Sequence, residues 1–209
     1  MRNFLKMAMA MTILVPLAGT VLGADKEVKL VPEEGAVEVM LLRQSSVRKE
    51  LKLTPDETKK IHEFTLKQWE KALEVSKLGE KERDKKFTDM AKENERFLEE
   101  TLEKDQRTRL DQITLQVAGL LCVTRSDVAS KLKLTADQKK RAATFQKEGR
   151  DEMEELIHAT KDEEKQEKLA ELRQTSRKRL LDLLTDEQES KWNEMTGKPF
   201  NGEILFAAE

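Results

Sequence analysis

The sequence predicts an all-α protein: two tandem copies of a helical-hairpin unit with long amphipathic helices, drawn out as an elongated bundle. Three observations predict it. A helix-start phrase, Leu-Thr-x-x-Gln or Glu, returns along the chain. Apolar residues recur around it at steps of three, four and seven, the spacing of one helix face. The composition also suits thin helices: 38% of residues are charged, only 4% are aromatic and Tyr is absent, where an ordinary domain is roughly 25% charged. Such a chain builds narrow apolar stripes and wide solvated faces rather than a thick core.

Residues 1–23 read as a secretory signal peptide. Arg2 and Lys6 precede an apolar run from Met7 to Leu22, broken at Pro16, and Val21-Leu22-Gly23 offers small or modest residues for cleavage. A membrane-spanning helix needs about 20 apolar residues without a break, and nothing later is apolar enough. No Cys follows the run to carry a lipid anchor. The expected mature chain is cleaved near Gly23, is periplasmic or secreted, and is not inserted in the membrane. Residues 24–36, with Pro32 and Gly35, read as an irregular lead-in.

Residues 37–117 and 118–196 align as the two helical repeats. Leu53-Thr54-Pro55-Asp56-Glu57 opens the first long helix: Thr54 caps, Pro55 suits the first helical position and Glu57 reaches back as a capping box. The phrase returns 81 residues on as Leu134-Thr135-Ala136-Asp137-Gln138, again as Leu184-Thr185-Asp186-Glu187-Gln188, and in worn form as Leu102-Glu103-Lys104-Asp105-Gln106. Ser45 or Ser46, and Ser126 or Asp127, are expected to cap a short helix ahead of the first two copies. Ile61, Phe64, Ala72 and Val75 match Ala142, Phe145, Met153 and Leu156 at the same offset. At an offset of 82, Phe87, Met90, Leu98 and Leu102 match Leu169, Leu172, Leu180 and Leu184, and Leu110 and Ile113 match Trp192 and Met195. Gly79 is expected to end the first long helix, and Thr160 to start one in the second repeat. Gly197 and Pro199 stop the last helix near Thr196. Residues 197–209 form a C-terminal tail whose apolar residues are expected to pack back on the bundle.

Chemistry is sparse. Removing the leader leaves 37 basic against 41 acidic residues, with no basic excess or stacking aromatics of the kind a nucleic-acid binder shows. Glu155-Leu156-Ile157-His158 matches half of a di-metal helical element, but the equivalent of His158 in the first repeat is Lys77. His62, His158 and Cys122 are the soft ligands, and they fall on different segments, too few to close a metal site. Acidic runs such as Glu152, Glu154 and Glu155 read as a solvated face. Cys122, among Leu120, Leu121 and Val123, reads as a buried thiol. No phosphate loop or nucleophile motif occurs. The expectation is therefore a protein that is not an enzyme, with no catalytic residue, no cofactor and no metal.

The Leu-Thr-x-x-Gln phrases in a charged, secreted, helical chain resemble the periplasmic LTxxQ-motif family, which includes Spy-type chaperones and CpxP-type inhibitors of envelope stress signalling. Residues 134–138 and 184–188 match the motif fully; the copy at 53–57 ends in Glu, and the copy at 102–106 lacks Thr. The resemblance implies a thin helical protein that cradles unfolded clients on a concave face with apolar patches and a basic rim, without ATP. Its partners would be protein clients or a partner protein. A homodimer is one implied assembly, and two units in one chain would make an intramolecular version of it. Phe64, Trp69, Phe87 and Phe97 are the candidate client-binding residues; Trp69, between Leu66 and Leu73, either joins the core or extends an exposed apolar patch. A metal-responsive, zinc-binding envelope protein is the alternative.

Overall fold

The computed structural model of the chain describes residues 35–159 and 162–204, with the backbone alone at 80, 154, 157–159, 162–167 and 169. The predicted leader, the lead-in as far as residue 34, the expected helix start at Thr160 and the tail from residue 205 lie outside the described residues. Among those residues every regular element is helical: α1 (Ala36–Leu41), α2 (Ser45–Glu50), α3 (Pro55–Val75), α4 (Glu80–Thr101), α5 (Lys104–Ala118), a 3-10 turn over Gly119–Cys122, α6 (Ser126–Lys131), α7 (Ala136–Ala159), α8 (Asp162–Leu181) and α9 (Asp186–Thr196).

The repeated phrase is both a stop and a start. Ahead of each of the first two copies, a short helix ends on a lysine with positive φ, Lys52 and Lys133, both at 52°. Leu53 N–H donates to the Arg48 carbonyl and Lys52 N–H to Lys49; Leu134 and Lys133 repeat the pattern onto Ala129 and Ser130. These crossed bonds are a Schellman stop, with lysine where glycine is usual. Two residues after each lysine, Thr54 and Thr135 start the following helix. Thr54 and Glu57, Glu103 and Gln106, and Thr185 and Gln188 form reciprocal capping boxes, and Thr135 and Gln138 exchange the same two bonds. The short helices α2 and α6 behave differently from expectation. Their caps are Gln44 and Arg125, without a side-chain cap bond, and Ser45 and Ser126 are already helical. Gly79 likewise caps the start of α4 in an extended conformation, after α3 has ended at Val75.

The glutamines of the phrase also tie two helix starts together. Gln138 Nε2 donates to the Leu183 carbonyl and to Gln188 Oε1; Gln188 Nε2 donates to the Leu132 carbonyl. Each amide thus caps its own helix through its oxygen and closes the end of the other helical segment through its nitrogen. In the first half Glu57 accepts from Gln106 in the same way, and with the Thr54 bonds this holds its pKa below the ordinary glutamate value; the Thr54 backbone is the main cause.

α3 packs antiparallel on α4, and α7 on α8. Two hydrophobic cores result. The first holds Leu42, Val47, Ile61, Leu98, Leu110 and Ile113; the second holds Val123, Val128, Ala142, Leu180, Leu183 and Trp192. Residues that the sequence alignment of 37–117 with 118–196 matches share burial in most cases: Val75 and Leu156, Leu98 and Leu180, and Leu110 and Trp192 are all buried. The cores meet along α5, which packs on both α1 and α9. The tail crosses back: Phe200 and Ile204 pack on the first core, and Gln116 holds the Thr196 and Lys198 carbonyls.

At this junction lies a buried charge cluster. Glu38, with no exposed surface, accepts from Gly35 N–H at 2.9 Å and from Arg125 Nη1 at 2.7 Å. Gly35 has a φ of 84°, and a Cβ there would lie 2.7 Å from Glu95 Oε1. Arg125 also grips Asp127 through two bonds. Burial works against the Arg125 charge, but Asp127 and Glu38 outweigh it and hold its pKa above the usual arginine value. Asp127 is shifted down for the reciprocal reason: burial opposes its charge and the Arg125 bonds outweigh it. Asp111 is shifted up, by burial first, with Arg107 opposing and Glu38 adding.

Three outcomes are expected. Lys52→Gly relieves a left-handed lysine and raises stability by about 0.5–1 kcal/mol in urea unfolding followed by circular dichroism. Arg125→Met leaves Glu38 buried without its cation and costs about 3–5 kcal/mol, of which the double variant with Glu38→Gln recovers much. Asp127→Asn destabilises near neutral pH by about 1–2 kcal/mol. Because the folded-state pKa of Asp127 is depressed, its contribution is present above the ordinary carboxylate range of about 4. It is lost as pH falls through the folded value, so wild type and variant converge in acid.

Candidate functional site

Of the four aromatic residues expected on a client-binding face, the structure brings two together. The Phe64 and Phe97 rings stack with 3.8 Å between centroids and 4° between planes. Both are half-buried and pack against the first core, so much of their surface already joins α3 to α4. Phe87 is half-buried on α4. Trp69 is half-buried on α3, with the Arg43 guanidinium 5.7 Å from its ring centroid.

Trp69 does not stand alone. Leu66 and Leu73 are 42% and 37% exposed, the two large apolar side chains that remain open among the described residues. Spacings of three and seven put Leu66, Trp69 and Leu73 on one line along α3. That line is separate from the inner stripe of Ile61, Thr65, Gln68 and Val75, all buried. Positions 81 residues later are Lys147, Arg150 and Glu154. One half therefore carries an apolar second stripe where the other carries charge.

An open cleft of about 550 Å³ lies between the α1–α2 corner and α3. Leu42, Leu53 and Ile61 contribute to its apolar wall; Arg43, Arg48, Lys59 and His62 contribute its cationic and imidazole groups, and no carboxylate lines it. Arg48 is fixed in place by donating through Nη1 to the Leu42 and Arg43 carbonyls, just past the end of α1. Among the described residues Arg43 makes no ion pair; burial alone pulls its pKa below the usual arginine value. In the second half Thr124 occupies the place of Arg43 and Gln146 that of Thr65. There the buried Gln146 amide bonds to Thr124 and to the Leu120 carbonyl, and a polar network replaces the basic rim. By contrast, an open cleft between α7 and α8 has Glu152, Glu155 and Glu171 on its walls.

Sequence reading reached Trp69 and its flanking leucines through helical spacing. It missed Arg43 and Arg48, because the α1–α2 corner that swings them over α3 has no local sequence signature. The two soft ligands whose side chains are described, His62 and Cys122, are not gathered. His62 is exposed beside the cleft, whereas Cys122 is buried in the second core, and the side chain of His158 lies outside the described residues. Desolvation pushes the Cys122 thiol up to about 12, with Arg125 opposing and Glu38 adding, which leaves it a poor nucleophile at neutral pH. Among the described residues no group of three or more His, Cys, Asp or Glu is placed to hold a metal ion, and no helix is long and apolar enough to cross a membrane. Comparison with family models, curated proteins and solved structures finds no match to this chain.

Proposed function

We propose that the chain is an exported, non-enzymatic helical protein of LTxxQ type that binds apolar segments of other proteins without ATP, as a chaperone or an envelope-stress binding protein. The observation that carries this reading is the line of Leu66, Trp69 and Leu73. A contiguous line of open apolar side chains, unlike scattered single ones, marks a surface that something else covers. The fold does not require it, because the second half builds the matching helix with Lys147, Arg150 and Glu154 at those places.

Two further features support the reading. The cleft beside the stripe combines an apolar floor with a basic rim, a surface suited to protein segments rather than to a small reacting substrate. The Leu-Thr-x-x-Gln phrase has a job beyond capping, since Gln138 and Gln188 lock two helix starts. That job is a physical reason for the phrase to recur in this chain. The apolar run at residues 7–22 supports a periplasmic or secreted address.

The test is light scattering of a reduced, aggregating client such as insulin with dithiothreitol, in the presence of the purified mature chain. Suppression without ATP is expected. The double variant Leu66→Glu with Leu73→Lys, which changes exposed positions and should move stability by no more than about 0.5 kcal/mol each, loses most of that suppression. Absence of suppression by the wild-type chain at molar excess removes the reading.

A further inference from the structure

We infer that the α3 surface selects client segments that carry an acidic side chain beside an apolar anchor, with Arg43 as the carboxylate-reading group. This rests on the client-binding reading above and names the chemistry of the client.

The chain as a whole carries a net charge of −2, so a cleft lined by Arg43, Arg48 and Lys59 and by no carboxylate is a local departure from its average; the exposed Glu63 and Glu70, three and four residues from Leu66, lie outside that lining. Three arginines near the junction are paired: Arg107 with Glu95 and Asp111, Arg109 with Glu50, Arg125 with Glu38 and Asp127. Arg43 is half-buried yet has no carboxylate partner among the described residues. A desolvated guanidinium without a counter-charge gains more from an incoming carboxylate than a solvated one does, because the desolvation has already occurred.

Geometry adds to this. The Arg43 guanidinium lies over the Trp69 ring, and its planar fork matches a carboxylate in two bonds. Trp69 is also the middle of the Leu66–Leu73 line. The cationic group and the apolar anchors therefore meet at one residue, and a segment seated on the leucines brings its flanking side chains to Arg43. Arg48, Lys59 and His62 extend the basic rim along the cleft. A basic client segment would meet like charge there and bind less well.

The test uses the full mature chain and three fluorescein-labelled ten-residue peptides with the same Leu and Phe pattern, flanked by Asp, Asn or Lys. By fluorescence anisotropy the Asp peptide is expected to bind about tenfold more tightly than the Asn peptide, as one charge-assisted bond in place of a neutral one implies. The Lys peptide binds most weakly. The Asp advantage shrinks with added salt and disappears in Arg43→Gln, while Arg43→Lys restores part of it. Equal binding of Asp and Asn peptides by the wild-type chain, with aggregation suppression intact, overturns acid selection and leaves the client-binding reading standing. An Asp advantage that survives Arg43→Gln overturns the assignment to Arg43. Failure of all peptides together with absent suppression overturns both readings. A concentration-dependent dimer that Leu66→Glu dissociates would show that a second copy covers the stripe, and that too overturns the proposal.

Discussion

A single buried carboxylate sits where the two halves of this chain join. Glu38 has no contact with water, and burying a charge costs several kcal/mol unless it is paired and its remaining lone pairs are used. Here one oxygen takes the Gly35 N–H and the other takes Arg125. Gly35 begins the first half, Arg125 caps α6 of the second, and the two lie 90 residues apart in sequence. The pair therefore forms only when both halves are folded and docked in one register. An apolar contact would hold the halves together at least as well, but it would tolerate sliding. A buried ion pair does not, and the Arg125 fork on Asp127 and the Arg107 bridge between Glu95 and Asp111 fix its surroundings.

That arrangement suits a chain short of aromatic residues. Neither core is large, and each is closed at its ends by hydrogen bonds rather than by bulk. The glutamine lock does this in the second half, and Glu57 with Gln106 does it in the first. The same economy explains the tail. Phe200 and Ile204 come from beyond the second half but cover the first core, so the ends of the described chain are drawn to the middle of the molecule.

How much of this was legible follows from how local each cause is. Helix starts were legible, because a capping box is written within four residues, and all-α architecture followed from the spacing of apolar residues. The stops at Lys52 and Lys133 were not, since a lysine at positive φ leaves no mark that a glycine would. The failed caps at Ser45 and Ser126 have a related cause: each short helix begins one residue early, driven by burial of Val47 and Val128 rather than by a cap. The junction was not legible either. Glu38 and Arg125 are unexceptional in a chain that is 38% charged, and only tertiary proximity makes them different. The same holds for the candidate site, whose apolar line was visible as helical spacing and whose arginine was not.

The comparison between halves decides how that line is to be read. Within one chain, two helices face the same solvent and the same folding requirement, so a position that structure alone dictates should keep its character in both. The inner stripe does keep it: Ile61 and Ala142 are both buried, as are Val75 and Leu156. The outer line does not, with Leu66, Trp69 and Leu73 facing Lys147, Arg150 and Glu154 at the matching places. Packing inside the molecule accounts for the first set and leaves the second unexplained. The proposed client binding accounts for a cost in exposed apolar surface that one half avoids and the other keeps.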